Sequence, residues 1–343
     1  MRYWQLNRFA SQGGSYPMDT GTHVVMGLGI GALATLDPAI AQDPITAQSV
    51  LIGALIGSQA PDFDTVLKLK NNAVYIRHHR GITHSIPAVL LWPIIISSGI
   101  MLFYPETNWL HLWLWTFLAV FIHVFVDIFN AYGTQAIRPF SNRWVALGVI
   151  NIFDPFIFLS HIAGLILWYI GANPGFTFLT IYGVLILYYL WRISEQKKVI
   201  RAVRERIPDA VEVIVSPTIR WSRWHIAVKS ETQFYVARAE GTTIHVQDEF
   251  ERVPVPKTPV LESAKEDPNL SAFLSFSPVY RWEIEEKEVG YEVRFIDLRY
   301  RNKGHYPFVA VVQMEDQLEI TSSYTGWVYS EDTLRKKLDP AVD

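Results

Sequence analysis

Four apolar runs, residues 86–103, 109–130, 147–170 and 176–191, fill most of the second quarter of this 343-residue chain and the stretch beyond it. Each is close to the roughly 17–25 residues a helix needs to cross a bilayer. Two earlier runs, 23–36 and 49–60, are shorter and rich in Gly and Ala. They read either as a tight helical hairpin packed through small residues or as a pair that only partly enters the membrane. Whichever holds, the chain re-emerges on the side where it started. After residue 191 the character changes. "WRISEQKKVIRAVRERIP" is a basic helical stretch ended by Pro208, and beyond it β-branched and aromatic residues alternate with polar ones.

The expected architecture follows. An α-helical multispan membrane domain of four to six helices occupies residues 18–191. Residues 192–208 form a basic juxtamembrane helix or linker. A soluble, mainly-β domain fills 209–343, read as one antiparallel sheet or small barrel, with 254–269 as a linker or long loop inside it. Residues 1–17 lack the apolar core of a signal peptide and read as a disordered or non-native extension, with translation beginning at Met18.

Composition agrees. Only 18% of residues are charged, against roughly 25% in soluble domains. The net charge of −3 gives no bulk attraction for nucleic acid. With no cysteine, disulfides, thiolate metal sites and a cysteine nucleophile are excluded, so a metal here must use imidazole and carboxylate.

Lys and Arg alternate along the loops. They occur before residue 18 (Arg2, Arg8), in 61–85 (Lys68, Lys70, Arg77, Arg80), in 131–146 (Arg138, Arg143) and throughout the tail after 191. Loops 37–48, 104–108 and 171–175 have none. By the positive-inside rule the basic loops, and with them the C-terminal domain, are expected in the cytoplasm of a multi-pass plasma-membrane protein.

The metal-capable side chains of the first half fall on that same side. His23 opens the first run. Asp62 and Asp64 in "PDFD" follow the second. His78, His79 and His84 in "HHRGITHS" precede the third. His123 and Asp127 lie in the cytoplasmic half of the fourth, and Asn151 and Asp154 in "NIFDP" near the start of the fifth. His123 and Asp127, four apart, project from one helix face. An acid inside a membrane is costly unless paired or coordinated. Each residue alone has a bland reading as a cap, hydrogen bond or interfacial charge, but their convergence points to a metal site. Imidazole and carboxylate suit zinc, manganese or iron. The candidates outnumber the ligands of one four-coordinate ion, so two ions are expected, a pair that activates water and clamps a phosphoryl or acyl oxygen. His111 and His161, and His225, His245 and His305 in the soluble part, read as structural.

"MDTGTHVVMG", "PDFD", "HHRGITHS" and "HVFVDIFNAYGTQAIRPF" resemble the YdjM-type inner-membrane proteins, a LexA-regulated family assigned as metal-dependent hydrolases. The likeness covers about 18–165, and the added C-terminal domain resembles that of a longer Gram-positive subgroup. The resemblance implies the ligand set His23, Asp62, Asp64, His79, His84, His123 and Asp127. The expected function is hydrolysis of a phosphoester or ester in a lipid or lipid-linked substrate at the cytoplasmic face. Asp154 is expected as ligand or general base, Arg80 as a catalytic phosphate holder, Arg138 and Arg143 as substrate-binding residues, and Thr83 and Ser85 as groups that orient ligands. The alternative is a metal-binding transporter, sensor or scaffold without turnover. No ladder of acids crosses toward the far side, which ranks transport lower.

Overall fold

The computed structural model describes residues 17–69 and 72–338. Apart from Pro17, the expected N-terminal extension lies outside them. The helical part comprises α1 (Pro17–Leu33), α2 (Pro38–Ala41), α3 (Pro44–Gly57), a 3₁₀ segment Ala60–Leu69, α4 (Asn72–His78), α5 (Ile86–Met101), α6 (Trp109–Asp127), α7 (Pro155–Tyr169) and α8 (Pro174–Arg206). Four of these helices start alike. Asp37, Asp43, Asp154 and Asn173 each accept a hydrogen bond from a first-turn N–H, and a proline follows at the first helical position. That pairing satisfies an orphan donor and omits one that would be orphaned anyway.

Helix α1 packs against α3, α6, α7 and α8, and α6 also against α3 and α5. The α1–α3 contact is the small-residue hairpin. A Cβ on Gly27 would collide with Ser58 and the Ala54 carbonyl, and one on Gly31 with Leu51, while one on Gly53 would meet Thr116 and Leu112 of α6. Trp109–Asp127 and Pro174–Arg206 are long and apolar enough to cross a membrane. The bent pair Ala73–His84 and Ile86–Met101, turned by 72° at its break, makes a third candidate, while Thr20–Leu36 and Pro155–Tyr169 are shorter apolar helices. The outer surface carries Leu90, Leu91, Ile94, Ile95, Phe121, Phe125, Ile186, Leu187 and Leu190 exposed, far more contiguous apolar area than a soluble monomer shows.

One expected span is corrected. The run 147–170 is helical only from Pro155 to Tyr169. Residues 147–150 run as irregular chain against the end of α6, with Leu147 N–H bonded to Ile128 O and Val149 and Ile150 N–H to Phe129 O. Hydropathy alone does not separate protein-buried residues from lipid-buried ones, and here Val149 and Ile150 are core.

The basic segment is continuous with the last apolar run in α8 and is no free linker. Its Val199 and Val203, with Ile207, share a core with Val215, Trp224, Ile226 and Val228. The buried Arg192 donates to Val149 O and Trp221 O and lies over the Trp224 ring at 4.2 Å, fastening α8 to both parts of the molecule.

The C-terminal region holds two antiparallel four-stranded meanders instead of one sheet. The first is β1 (Ala210–Pro217), β2 (Arg223–Ser230), β3 (Gln233–Glu240) and β4 (Thr243–Glu251). The second is β5 (Tyr280–Glu286), β6 (Tyr291–Asp297), β7 (Phe308–Met314) and β8 (Ile320–Trp327). Helices α9 (Pro259–Glu266) and α10 (Pro268–Phe276) cover one face of the second sheet through Leu261, Leu270 and Phe273. Helix α11 (Glu331–Leu338) covers the other through Leu334 and Leu338. The expected loop at 254–269 therefore contains a helix. Two of its four prolines, Pro259 and Pro268, mark first helical positions, with Thr258 and Asp267 as caps.

Candidate metal centre

The HxxxD pair on α6 supplies two donor atoms one helical turn apart. The 3₁₀ segment after α3 brings Asp62, and the short 3₁₀ turn Ile82–His84 brings His84. Four atoms converge. His84 Nε2 lies 3.6 Å from Asp62 Oδ1 and 3.4 Å from Asp127 Oδ2. His123 Nε2 lies 3.7 Å from Asp62 Oδ1 and 3.6 Å from Asp127 Oδ2. Tetrahedral ligands at 2.0–2.2 Å from a zinc-sized ion would stand about 3.3–3.6 Å from one another. These separations exceed ordinary N–H···O lengths of ~2.7–3.2 Å, and none of the four buried atoms has a hydrogen-bond partner among the described residues.

The protonation of both imidazoles follows from what holds them. His123 Nδ1 sits 2.6 Å from the Ser58 carbonyl, which only accepts, so Nδ1 carries a proton and in the neutral imidazole Nε2 bears the lone pair. Thr83 Oγ1 donates to Asp64 Oδ2 at 2.6 Å and stands 3.1 Å from His84 Nδ1. Its proton is committed to the carboxylate, so it accepts from His84 Nδ1–H, and His84 Nε2 also presents a lone pair. With both imidazoles neutral, two lone pairs and two carboxylate oxygens face one another as acceptors. A cation satisfies that arrangement, and oriented second partners of this kind are usual around metal-binding histidines.

A second group, Asp62, Asp64 and His79, has ligand atoms within 4.8 Å of one another. Asp64 is heavily engaged: His79 Nδ1 at 2.7 Å, Arg80 N–H at 2.9 Å and the Thr83 hydroxyl. Burial pushes its pKa up, but the His79 bond and charge and the Thr83 bond outweigh this and hold it below the ordinary value. Arg80 reaches that position with φ +58°, and glycine follows it. His79 is half-buried at the rim and stacks on Tyr75 at 4.4 Å.

The other Asp127 oxygen, Oδ1, faces Arg80 Nη2 at 3.2 Å, Asn130 Nδ2 at 3.3 Å and His23 Nε2 at 3.5 Å. His23 stacks on the His123 ring at 3.8 Å, so it flanks the four-atom group without entering it. Arg80 is buried against Asp127 instead of reaching outward for a phosphate.

The remaining expected residues lie elsewhere. Asp154 enters neither group: Oδ1 caps α7 through Phe156 and Ile157 N–H, and Oδ2 accepts from Tyr188. A capping and bracing role replaces the expected general base. Ser85 caps α5 through Ala88 N–H and donates to Ile82 O, so it orients a helix and no ligand. Arg138 donates to Asn142 Oδ1, with a guanidinium nitrogen 3.4 Å from where a Gly81 Cβ would sit. Arg143 and His78 are exposed. His111 pairs with Asp37 at 2.5 Å, and His161 bonds to Ile157 O.

Sequence reading missed three contributors. Ser58 acts through its carbonyl, which no side-chain pattern reveals. Asn130 holds Asp127 while its Oδ1 accepts from Tyr132 and Gly133 N–H; Asn three residues before Gly in "NAYG" is the available turn signal. Gln135 takes the Arg80 carbonyl on its N–H.

Residues 18–199 match the model of a family described as YdjM inner membrane protein, 208–250 the YfhP middle domain, and 259–338 the YfhP C-terminal alpha/beta plait domain. The chain is 61% identical over 322 residues, 94% of its length and 98% of the relative's, to a Bacillus subtilis (strain 168) protein named "Uncharacterized protein YfhP". No solved structure matches.

Proposed function

This chain belongs to the YdjM inner membrane protein family, and from that membership and the four facing acceptors we propose that it is a membrane-embedded, metal-dependent hydrolase opening to the cytoplasmic leaflet. Asp62, His84, His123 and Asp127 would hold a divalent transition metal, with Asp64 and His79 beside Asp62 as the place for a second. Such an ion supplies Lewis acidity toward water and toward a phosphoryl or acyl oxygen. The chain's own part is to hold both Nε2 lone pairs inward through Ser58 and Thr83, and to keep Asp127 in place through Arg80 and Asn130.

The substrate class follows from the rim. Phe63, between the two acids, is 68% exposed, and Ile82, between Arg80 and Thr83, is 65% exposed. Apolar side chains presented outward beside a polar site suit a headgroup whose tail stays in the bilayer. We therefore assign an ester or phosphoester of a lipid or lipid-linked molecule. Arg138, against the Gly81 turn, is the candidate phosphate partner. Basic loops near the site support a cytoplasmic position for it and for the C-terminal domain.

The carrying observation is the set of four buried, mutually facing acceptors. The test is metal content by inductively coupled plasma mass spectrometry on detergent-purified protein, followed by phospholipid and isoprenoid-phosphate turnover. We expect about one to two equivalents in wild type, lost in His123→Ala and in Asp62→Ala/Asp64→Ala proteins that remain folded. A wild type that takes up no metal after reconstitution overturns the proposal. Bound metal without turnover on either substrate class moves the reading to a metal-binding sensor or scaffold.

A further inference from the structure

Both halves of the metal centre lean on the C-terminal domain. Helix α4, which leads directly into His79, Arg80 and His84, packs on α10 and β8. Its Ile76 packs against the core built from Leu270, Phe273, Phe295 and Phe308. The preceding residue, Tyr75, is the one stacked on His79. On the other side of the centre, Asn130 holds Asp127 and is itself fixed by the N–H groups of Tyr132 and Gly133. The Tyr132 ring lies flat on two rings of the C-terminal domain, Phe276 at 6.0 Å with 14° between planes and Tyr300 at 5.4 Å with 17°. Arg299, locked to Asp297, sits over Phe276 at 4.7 Å and over Tyr300 at 4.9 Å.

We infer that docking of the C-terminal domain completes the metal centre, with Tyr132 as a positioning residue that acts through Asn130 on Asp127 and Ile76 as its counterpart for the His79 side. This rests on the metal-site reading above. The physical reason is that His79, Arg80 and His84 follow the seven-residue helix α4 in a short turn, and that Asp127 ends α6 where Asn130 in the 128–134 turn holds it. Each segment carries one side chain, Ile76 or Tyr132, that packs on the C-terminal domain. A cavity of about 530 Å³, lined by Trp144, Gln196, Glu212 and Arg299 among others, runs beside Tyr132 and Phe276. The cavity bounds this aromatic contact on one side, so it is the part of the joint that can loosen while α8 keeps the core it shares with the first sheet. Metal affinity, and any activity that needs the metal, should then depend on whether the domain is docked.

The test uses the full-length protein in detergent. Zinc alone is titrated against a chelator for wild type, Tyr132→Ala, Tyr132→Phe and Phe276→Ala. Tyr132→Ala keeps the N–H that Asn130 accepts and removes only the ring. Hydrogen exchange over residues 72–85 and 128–134 is followed in the metal-free proteins. We expect zinc affinity to fall about 10–100-fold in Tyr132→Ala and Phe276→Ala, the range seen when groups behind metal ligands are lost. Tyr132→Phe should stay near wild type. Exchange should rise in both segments while β6 and β7 stay protected. Unchanged affinity and exchange in the alanine variants overturn the inference, as does equal loss in Tyr132→Phe. A wild type that binds no zinc defeats the metal reading instead, and exchange in the metal-free proteins still decides whether the domain orders these segments. If Tyr132→Ala does not fold, Phe276→Ala carries the same comparison.

Discussion

Two buried polar clusters in this molecule use similar residue types to opposite ends. In the C-terminal domain Asp297 is closed on its neighbours. Oδ2 accepts from the Ser277 hydroxyl at 2.7 Å and Arg299 Nη2 at 2.6 Å, Oδ1 accepts from the Arg299 backbone N–H at 2.8 Å, and Arg299 also donates to Phe276 O. In the helical domain Asp62, His84, His123 and Asp127 each leave one buried atom without a hydrogen-bond partner among the described residues. Burial of a polar atom without a partner costs about 1–3 kcal/mol. A fold that carries four such atoms within one small volume is arranged for something that is not protein. A closed cluster is scaffold, whereas an open one has the shape of a ligand.

The largest effect that would sharpen this contrast is at the closed cluster. Asp297→Ala strands a buried guanidinium and should cost about 3–5 kcal/mol, read as lost hydrogen-exchange protection over β6 and β7. A change below about 1 kcal/mol would show that the pair is not the brace the geometry describes. The next effect is at the open cluster, where the expectation reverses. Thr83→Val keeps the shape but removes the donor to Asp64 and the acceptor of His84 Nδ1–H. Metal-free stability should fall by only about 1 kcal/mol, while metal affinity drops about 10–100-fold. Equal losses of stability and affinity would erase the distinction between the two clusters.

How much of this was legible beforehand depended on sequence distance. His123 and Asp127 are one helical turn apart, and "PDFD" and "HRGITH" are short, so all four residues of the open group stood among those named from sequence. Thr83 beside His84 stood among them too, whereas the partner of His123 was hidden because it acts across the fold: Ser58 reaches His123 through 65 residues of separation, and it uses a backbone atom. Asp154 was overread. It satisfied the same pattern of an acid near a membrane edge, but the proline after it was the better clue, since Asp-Pro also starts α2 and α3 as caps. Hydropathy found α6 and α8 but ran the fifth run through residues that are protein core. The alternation after residue 209 announced strands without saying that they divide into two sheets. Nor did it show that Ile76, inside the histidine-rich loop, packs against the core of the second.

The smallest expected effect lies at a third polar cluster, closed like the Asp297 pair but half open to solvent. Asp248 on β4 accepts from Arg301 and from the Tyr306 hydroxyl, tying the first sheet to the segment after β6. Burial raises its pKa, but the Tyr306 and Arg301 bonds and the Arg301 charge win, so the folded value lies below that of an ordinary aspartate. A carboxyl depressed on folding adds stability above its unfolded pKa, and this is lost as pH falls through the folded value. Asp248→Asn should therefore cost about 0.2–1 kcal/mol near neutral pH, the range for exposed ion pairs. The variant and wild type should converge as pH drops below the folded pKa. Thermal melts followed by circular dichroism across the acid range would check this. A gap that stays constant with pH would mean that the carboxylate's charge is not what joins the sheets. A gap as large as that of Asp297→Ala would mean that closure alone, irrespective of burial, sets what a polar cluster contributes.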